Sequence, residues 1–339
     1  MVDILELVTG GAKLDFIHVS NAMNKLARVA KRGPGERARQ LEGNRLRQDP
    51  RFPKLIDLVR VHCPSFDAQG GANVLHAPGV LAGDLGAAAV NKELAEELGE
   101  LVERKARDMN PQDVANTLNA LCKLEAAVAA VTPAGWAGLA EAAERTTSQM
   151  KPQEIANTLN ALCKREAAAA VVSPAGWAGM AQAAERTASQ MNPQDIANTL
   201  NALCKLEAAA AAVTPAGWAG MAQVAERTAR EMKPQEVANT LHSLGLLPAA
   251  AAVLSPSGWA GLAEAVEGTA SQLNDQGVAN TLYALGVLPA AAAELSPSAR
   301  KLLEAAAEKE APNMTSEGGW MTVRGCEKLE LKTPSAFLK

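Results

Sequence analysis

The chain has 339 residues, of which 48% are hydrophobic but only 3% aromatic, and it carries a formal net charge of −4. A single compact core rarely grows past about 250–300 residues, so a chain of this length filled with Ala and Leu calls for several cores or an extended one. Its acidity argues against unspecific binding to polyanions, and no run of alternating apolar and polar residues is long enough to call for a sheet.

The string Asn-Thr-Leu begins at Asn116, Asn157, Asn198, Asn239 and Asn280, a spacing of 41 residues. Trp136, Trp177, Trp218 and Trp259 keep the same spacing. A fixed period of this length in an Ala- and Leu-rich chain marks a helical repeat array. Such repeats bury their apolar faces only by stacking on one another. The expected fold is all-α, a right-handed α-solenoid of paired-helix repeats with about seven units.

In chain order, residues 1–109 hold divergent repeats. Val19–Leu26 aligns with Val114–Leu121, and Gln69–Ala77 aligns with Gln112–Ala120. Between them Arg32–Pro53 is a polar, Gly- and Pro-punctuated insertion. It carries much of a local basic excess: residues 1–66 have a net charge of +5, against −9 for the rest. Lys31, Arg32, Arg37, Arg39, Arg45, Arg47 and Arg51 supply that excess. A solvated helical linker and a nucleic-acid patch are both compatible with it.

Residues 110–311 form the regular array. In its first unit Asn110 caps a helix that has Pro111 in its first position and Asp113 in its third. Lys151 and Lys233 are poor caps, so their helices should fray more. Val114, Leu118 and Leu121 fall within about 60° on a helical wheel and form the buried face. An Ala-rich joint, Glu125–Val131, is compatible with helix or loop. The second helix begins at a hydroxyl cap followed by Pro, at Thr132, Ser173, Thr214 and Ser255. Trp136, Leu139, Ala143 and Met150 line its apolar face; the recurring Trp suits a ligand-stacking aromatic or a core residue, and its place on an apolar stripe beside small Ala and Gly favours the core. Ser296-Pro297 starts the last second helix. Residues 312–339 lack helical periodicity and read as a frayed non-repeat tail.

Cys122, Cys163 and Cys204 share one repeat position, with neither a CxxC motif nor a His/Cys cluster. They read as small buried thiols in a reducing compartment. No metal or cofactor is expected. The four His, at 18, 62, 76 and 242, are scattered, and no phosphate loop, HExxH or catalytic triad can be assembled. No enzymatic activity and no small-molecule substrate are expected. No apolar stretch is long enough to cross a bilayer. The N-terminus carries acids and no early Arg, unlike a transit peptide. Either the protein stays where it is made, or this is not the start of its precursor.

A second, polar stripe runs along each first helix. Gln112, Asn116, Asn119 and Lys123 lie within about 60° of one another. The stripe recurs as Gln153, Asn157, Asn160, Lys164 and as Gln194, Asn198, Asn201, Lys205. Later it reads Gln235, Asn239, His242, Leu246 and then Gln276, Asn280, Tyr283, Val287. Upstream it is Asn21, Asn24, Arg28 and Gln69, Asn73, His76. The constant Asn cannot encode different ligands in different repeats, which suits a structural amide bonded to a neighbouring repeat. The other polar position varies as Asn24, His76, Asn119, Asn160, Asn201, His242 and Tyr283. Side chains of these types read and stack on single-stranded RNA bases, and they also suit a weakly constrained surface. Lys123, Lys164, Lys205 and Arg28 suit phosphates, partly offset by acids near the helix starts.

The phrase from Pro111 to Leu124, the Gly-Trp-Ala after a Ser/Thr-Pro start, and His18–Leu26 resemble the octotricopeptide repeat family, over most of residues 1–311. The resemblance implies paired-helix solenoids that bind organellar transcripts, in chloroplast or mitochondrion, and control their stability, processing or translation. Three features depart from the family. The varying position is often Trp there, a small C-terminal nuclease-like module that many relatives carry is missing, and this chain is acidic. If the varying position reads bases, Asn119, Asn160 and Asn201 would favour three like bases. The expected partner is single-stranded RNA bound by a monomer. The alternative is a protein partner held on the concave surface, a common use of helical solenoids.

Overall fold

A computed structural model of the chain describes residues 5–6, 10, 13–30, 44–46, 48–81 and 91–338. Most of the basic insertion, including Lys31, Arg32, Arg37, Arg39 and Arg47, lies outside the described residues. Among the described residues there are helices and no strand. They divide into two units, residues 1–176 and 177–339, and each unit is an all-α stack of repeats with the solenoid architecture.

The first unit contains α1 (Phe16–Ala30), α2 (Phe52–His62), α3 (Ala68–Leu81), α4 (Lys92–Lys105), α5 (Pro111–Leu121), α6 (Glu125–Ala130), α7 (Pro133–Thr146), α8 (Pro152–Leu162) and α9 (Glu166–Ala169). Helix α10 (Pro174–Thr187) follows. The second unit contains α11 (Pro193–Leu203), α12 (Glu207–Ala212), α13 (Pro215–Thr228), α14 (Pro234–Leu246), α15 (Pro248–Ala251), α16 (Pro256–Thr269), α17 (Asp275–Val287), α18 (Pro289–Ala293), α19 (Pro297–Glu310) and α20 (Ser316–Leu329).

First helices pack on first helices: α1 on α3, α3 on α5 and α5 on α8 in the first unit, and α11 on α14, α14 on α17 and α17 on α20 in the second. Their buried faces repeat Val114, Leu118 and Leu121 as Ile196, Leu200 and Leu203. Trp136, Trp177, Trp218 and Trp259 are all buried, as the apolar stripe predicts.

The Ala-rich joint is a third, short helix in every regular repeat. Its middle Ala, at 127, 168, 209, 250 and 291, is fully buried. The short helix packs against the second helix of the preceding repeat, as α6 does on α4 and α15 on α13. Six-residue helices are marginal alone, so this contact decides what the sequence left open.

Cap chemistry follows the residues. Asn110 accepts from the Asp113 amide at 3.0 Å, and Asp113 accepts from the Asn110 amide in return. Lys151 and Lys233 offer no acceptor. There Glu154 and Glu236 supply half of the box, each accepting from the Lys backbone N–H at 2.8 Å, which offsets part of the expected fraying.

A device that joins successive repeats has no counterpart in the sequence reading. Near the end of each second helix a Glu reaches the hydroxyl cap of the next second helix, 29 residues on. Glu144 accepts from the Ser173 amide and hydroxyl at 2.7 and 2.8 Å. Glu185 accepts from those of Thr214 at 2.6 and 3.0 Å. Glu103 takes Thr132, Glu226 takes Ser255, and Glu267 takes Ser296. The Thr214 hydroxyl meanwhile accepts from the Gly217 amide at 3.0 Å. One hydroxyl thus relays between a carboxylate and a helix N-terminus, whose partial positive charge favours the acid. The third helical residue must be small: a Cβ on Gly217 would lie 2.4 Å from the Glu185 side chain. Glu185→Ala should cost about 1–2 kcal/mol, the usual scale of a lost cap and a charge-assisted hydrogen bond. Urea denaturation measures it, and an unchanged midpoint would show the bond contributes nothing.

The expected frayed tail is a correction. Thr315 caps α20, accepting from the Gly318 amide, and α20 packs closely along α17. Thr322 stands 41 residues after Thr281, and its hydroxyl donates to the Met314 sulfur at 3.2 Å. The equivalent pairs are Thr199 with Met191 and Thr240 with Met232. Helix α20 is therefore a first helix of one more repeat.

Cys122, Cys163 and Cys204 are half-buried at first-helix C-termini rather than fully buried. The fully buried thiols are Cys63 and Cys326. Burial pushes both up to about 11. A thiol raised in the folded state favours folding below its unfolded value of about 8.5, and that contribution is lost as pH rises through about 11. Urea midpoints should therefore fall over this alkaline window, and Cys326→Ala should flatten the fall for the second unit.

Candidate nucleic-acid interface

The polar stripe lies on the more accessible face of the first helices, opposite the buried Val114, Leu118 and Leu121. Gln112, Gln153 and Gln194 are exposed, and so are Lys123, Lys164, Lys205 and Arg28. Between these two margins Asn119, Asn160, Asn24, His76, His242 and Tyr283 are half-buried, and Asn201 is buried at 8% exposure. Row residues meet the neighbouring first helix at Asn24, which bonds Asn73, and at Tyr283, which meets Trp320.

The expected bond between repeats forms at one place: Asn24 Nδ2 donates to Asn73 Oδ1 at 3.3 Å. Among the described residues, no hydrogen bond joins the amide side chains of Asn116, Asn157, Asn198, Asn239 or Asn280 to another protein group. The same holds for the amides of Asn119, Asn160 and Asn201. This corrects the structural reading for five of the constant Asn. An Asn amide has two donors and an acceptor, and a half-buried polar group normally finds a partner in protein or water.

His242 adds to the row. Its Nδ1 is buried without a partner. Burial, with help from Lys205, lowers its pKa, against a smaller opposite pull from Glu317. The imidazole is neutral near pH 7, with one nitrogen free to accept.

The acids expected to offset the Lys are directed elsewhere. Asp113 and Asp195 are buried and close their own capping boxes, accepting from Asn110 and Asn192. Burial pushes both carboxyls up, against the hydrogen bonds that lower them.

The row also extends further than the sequence reading took it. Forty-one residues after Tyr283 stands Arg324, and forty-one after Val287 stands Lys328, both exposed on α20. Trp320, on the same helix, is 56% exposed and meets Tyr283 at a ring-centroid distance of 5.8 Å. The 41-residue step from Tyr283 was the signal that could have found them.

Among the described residues no cluster of three or more His, Cys, Asp or Glu is placed to hold a metal ion. No helix among them is long and apolar enough to cross a membrane.

Stacked three-helix repeats with a polar row along the first helices define a helical-repeat protein. In five stretches, 91–118, 137–159, 180–200, 221–241 and 261–282, the chain is similar to a family described as protein of unknown function DUF1601. Each stretch takes in second-helix residues and the opening turns of the next first helix, so the matched segment is this repeat in a shifted frame. No curated protein matches.

Proposed function

We infer that the chain binds single-stranded RNA along the first-helix rows of its two units and acts as a binder rather than an enzyme. The observation that carries this reading is the set of half-buried Asn amides with no protein partner, flanked by exposed Lys. Amides so placed can pair with base edges, and the Lys at the helix ends suit phosphates. The carboxylates of Asp113 and Asp195 are engaged in capping their own helices and so compete less for the Lys. The resemblance to octotricopeptide repeats extends the reading to chloroplast or mitochondrial transcripts and to control of their stability, processing or translation.

Selection from random single-stranded RNA at two salt concentrations tests it. The expected result is a retained motif, lost in an Asn119→Ala, Asn160→Ala, Asn201→Ala triple variant. Binding should weaken with salt at about −0.7 in log–log slope per phosphate contact. No retention at low salt would overturn the reading.

A protein scaffold is the second reading. Leu246 and Val287, each 45% exposed, take the places that Lys holds in earlier repeats. A protein captured in place of RNA, and released by Leu246→Lys with Val287→Lys, would favour it.

A further inference from the structure

We propose that the cleft between α17 and α20 binds one nucleotide of single-stranded RNA, with the base stacked on Trp320 and the phosphate held by Arg324 and Lys328. This rests on the RNA-binding reading above. The cleft is lined by Tyr283, Gly286, Val287, Trp320, Arg324 and Lys328. Trp320, Arg324 and Lys328 stand at i, i+4 and i+8, so an aromatic ring and two cations follow one another along one face of α20. Tyr283 and Val287 form the facing wall from α17.

The chemistry of this lining selects the occupant. Trp320 keeps more than half of its surface in water although the other four Trp are buried. Its ring is tilted 38° from that of Tyr283, and the water-facing surface of the indole is available to a planar group. The first residue of the Ala-Asn-Thr-Leu register, Ala115 or Ala279 in other repeats, is here Trp320. Base–aromatic stacking tolerates any sequence because every base has a π-face. Arg324 donates to Glu327 at 3.2 Å, but both are exposed, and such a pair is worth little in water, so a phosphate can displace it. Among the described residues Lys328 has no carboxylate within ion-pair distance. The cleft would thus hold its RNA by stacking and charge, and the Asn row by base edges.

Intrinsic fluorescence tests the site directly, because Trp320 is the exposed one among five Trp. The 339-residue chain is titrated with oligo(A) and oligo(U) single-stranded RNA. Quenching of the exposed emission is expected. Trp320→Leu, which keeps an apolar contact with Tyr283, should weaken binding about 5- to 150-fold, the range for loss of one stacked base. Arg324→Ala with Lys328→Ala should reduce the salt slope by about 1.4. Circular dichroism shows that the variants remain folded.

If the wild-type chain binds RNA but the emission and both variants' affinities are unchanged, the cleft is not a nucleotide site, while the Asn row still stands. If no RNA binds the wild-type chain at low salt, both readings fall. Quenching by an acidic peptide but not by either oligonucleotide would overturn the nucleotide assignment in favour of a protein ligand.

Discussion

Trp218→Ala is expected to lower stability by about 3–5 kcal/mol, the usual cost of deleting a buried Trp side chain. Trp218 is only 6% exposed and follows Gly217, whose missing Cβ makes room for Glu185. Removing the indole leaves a cavity, and the neighbouring Ala216, Gly217 and Ala219 are too small to refill it. In a repeat stack each unit is stabilised by its neighbours, so the damage should stay local at first. Urea melts followed by hydrogen exchange would show residues 177–339 opening before 1–176. A single unchanged transition would show that the Trp contributes little to the packing.

Gly325→Ala is the second large expected effect. A Cβ at Gly325 would lie 2.5 Å from the carbonyl carbon and oxygen of Leu282, and 2.8 Å from its Cβ. These are mostly backbone atoms that cannot swing aside, so α20 must move away from α17. Overpacking of this kind costs about 1–3 kcal/mol, occasionally more. Amides of 316–329 should then exchange faster, and Trp320 should lose its contact with Tyr283. Gly220→Ala is the control, since nothing lies within 4 Å of its added Cβ. It should be neutral or stabilising by up to about 1 kcal/mol from helix propensity.

The repeat was legible because its signals are local: Asn110-Pro111, Thr132-Pro133 and the spacing of Val114, Leu118 and Leu121 each lie within one helix. The short helices were not, because an Ala run suits helix and loop alike until Ala127 is covered by α4. The bonds of Glu144 and Glu185 were missed since their step of 29 residues crosses from one repeat to the next. Helix α20 escaped because Asn-Thr-Leu has become Met321-Thr322-Val323, leaving Thr322 as the sole identity. The candidate row was read from helical angle, but only three-dimensional packing shows that most of its amides are half-buried and without protein partners.

The Glu-to-hydroxyl bonds have a consequence for how such a chain can lengthen. Each one joins a donor and an acceptor separated by a step that is the same at every junction. Inserting or deleting a whole 41-residue segment therefore leaves every Glu with a hydroxyl to meet, whereas any other length strands one of each. Copy number can change by duplication without new side chains being invented at the seam. The near-identity of the stretches beginning at Asn110, Lys151 and Asn192 is what such growth would leave behind.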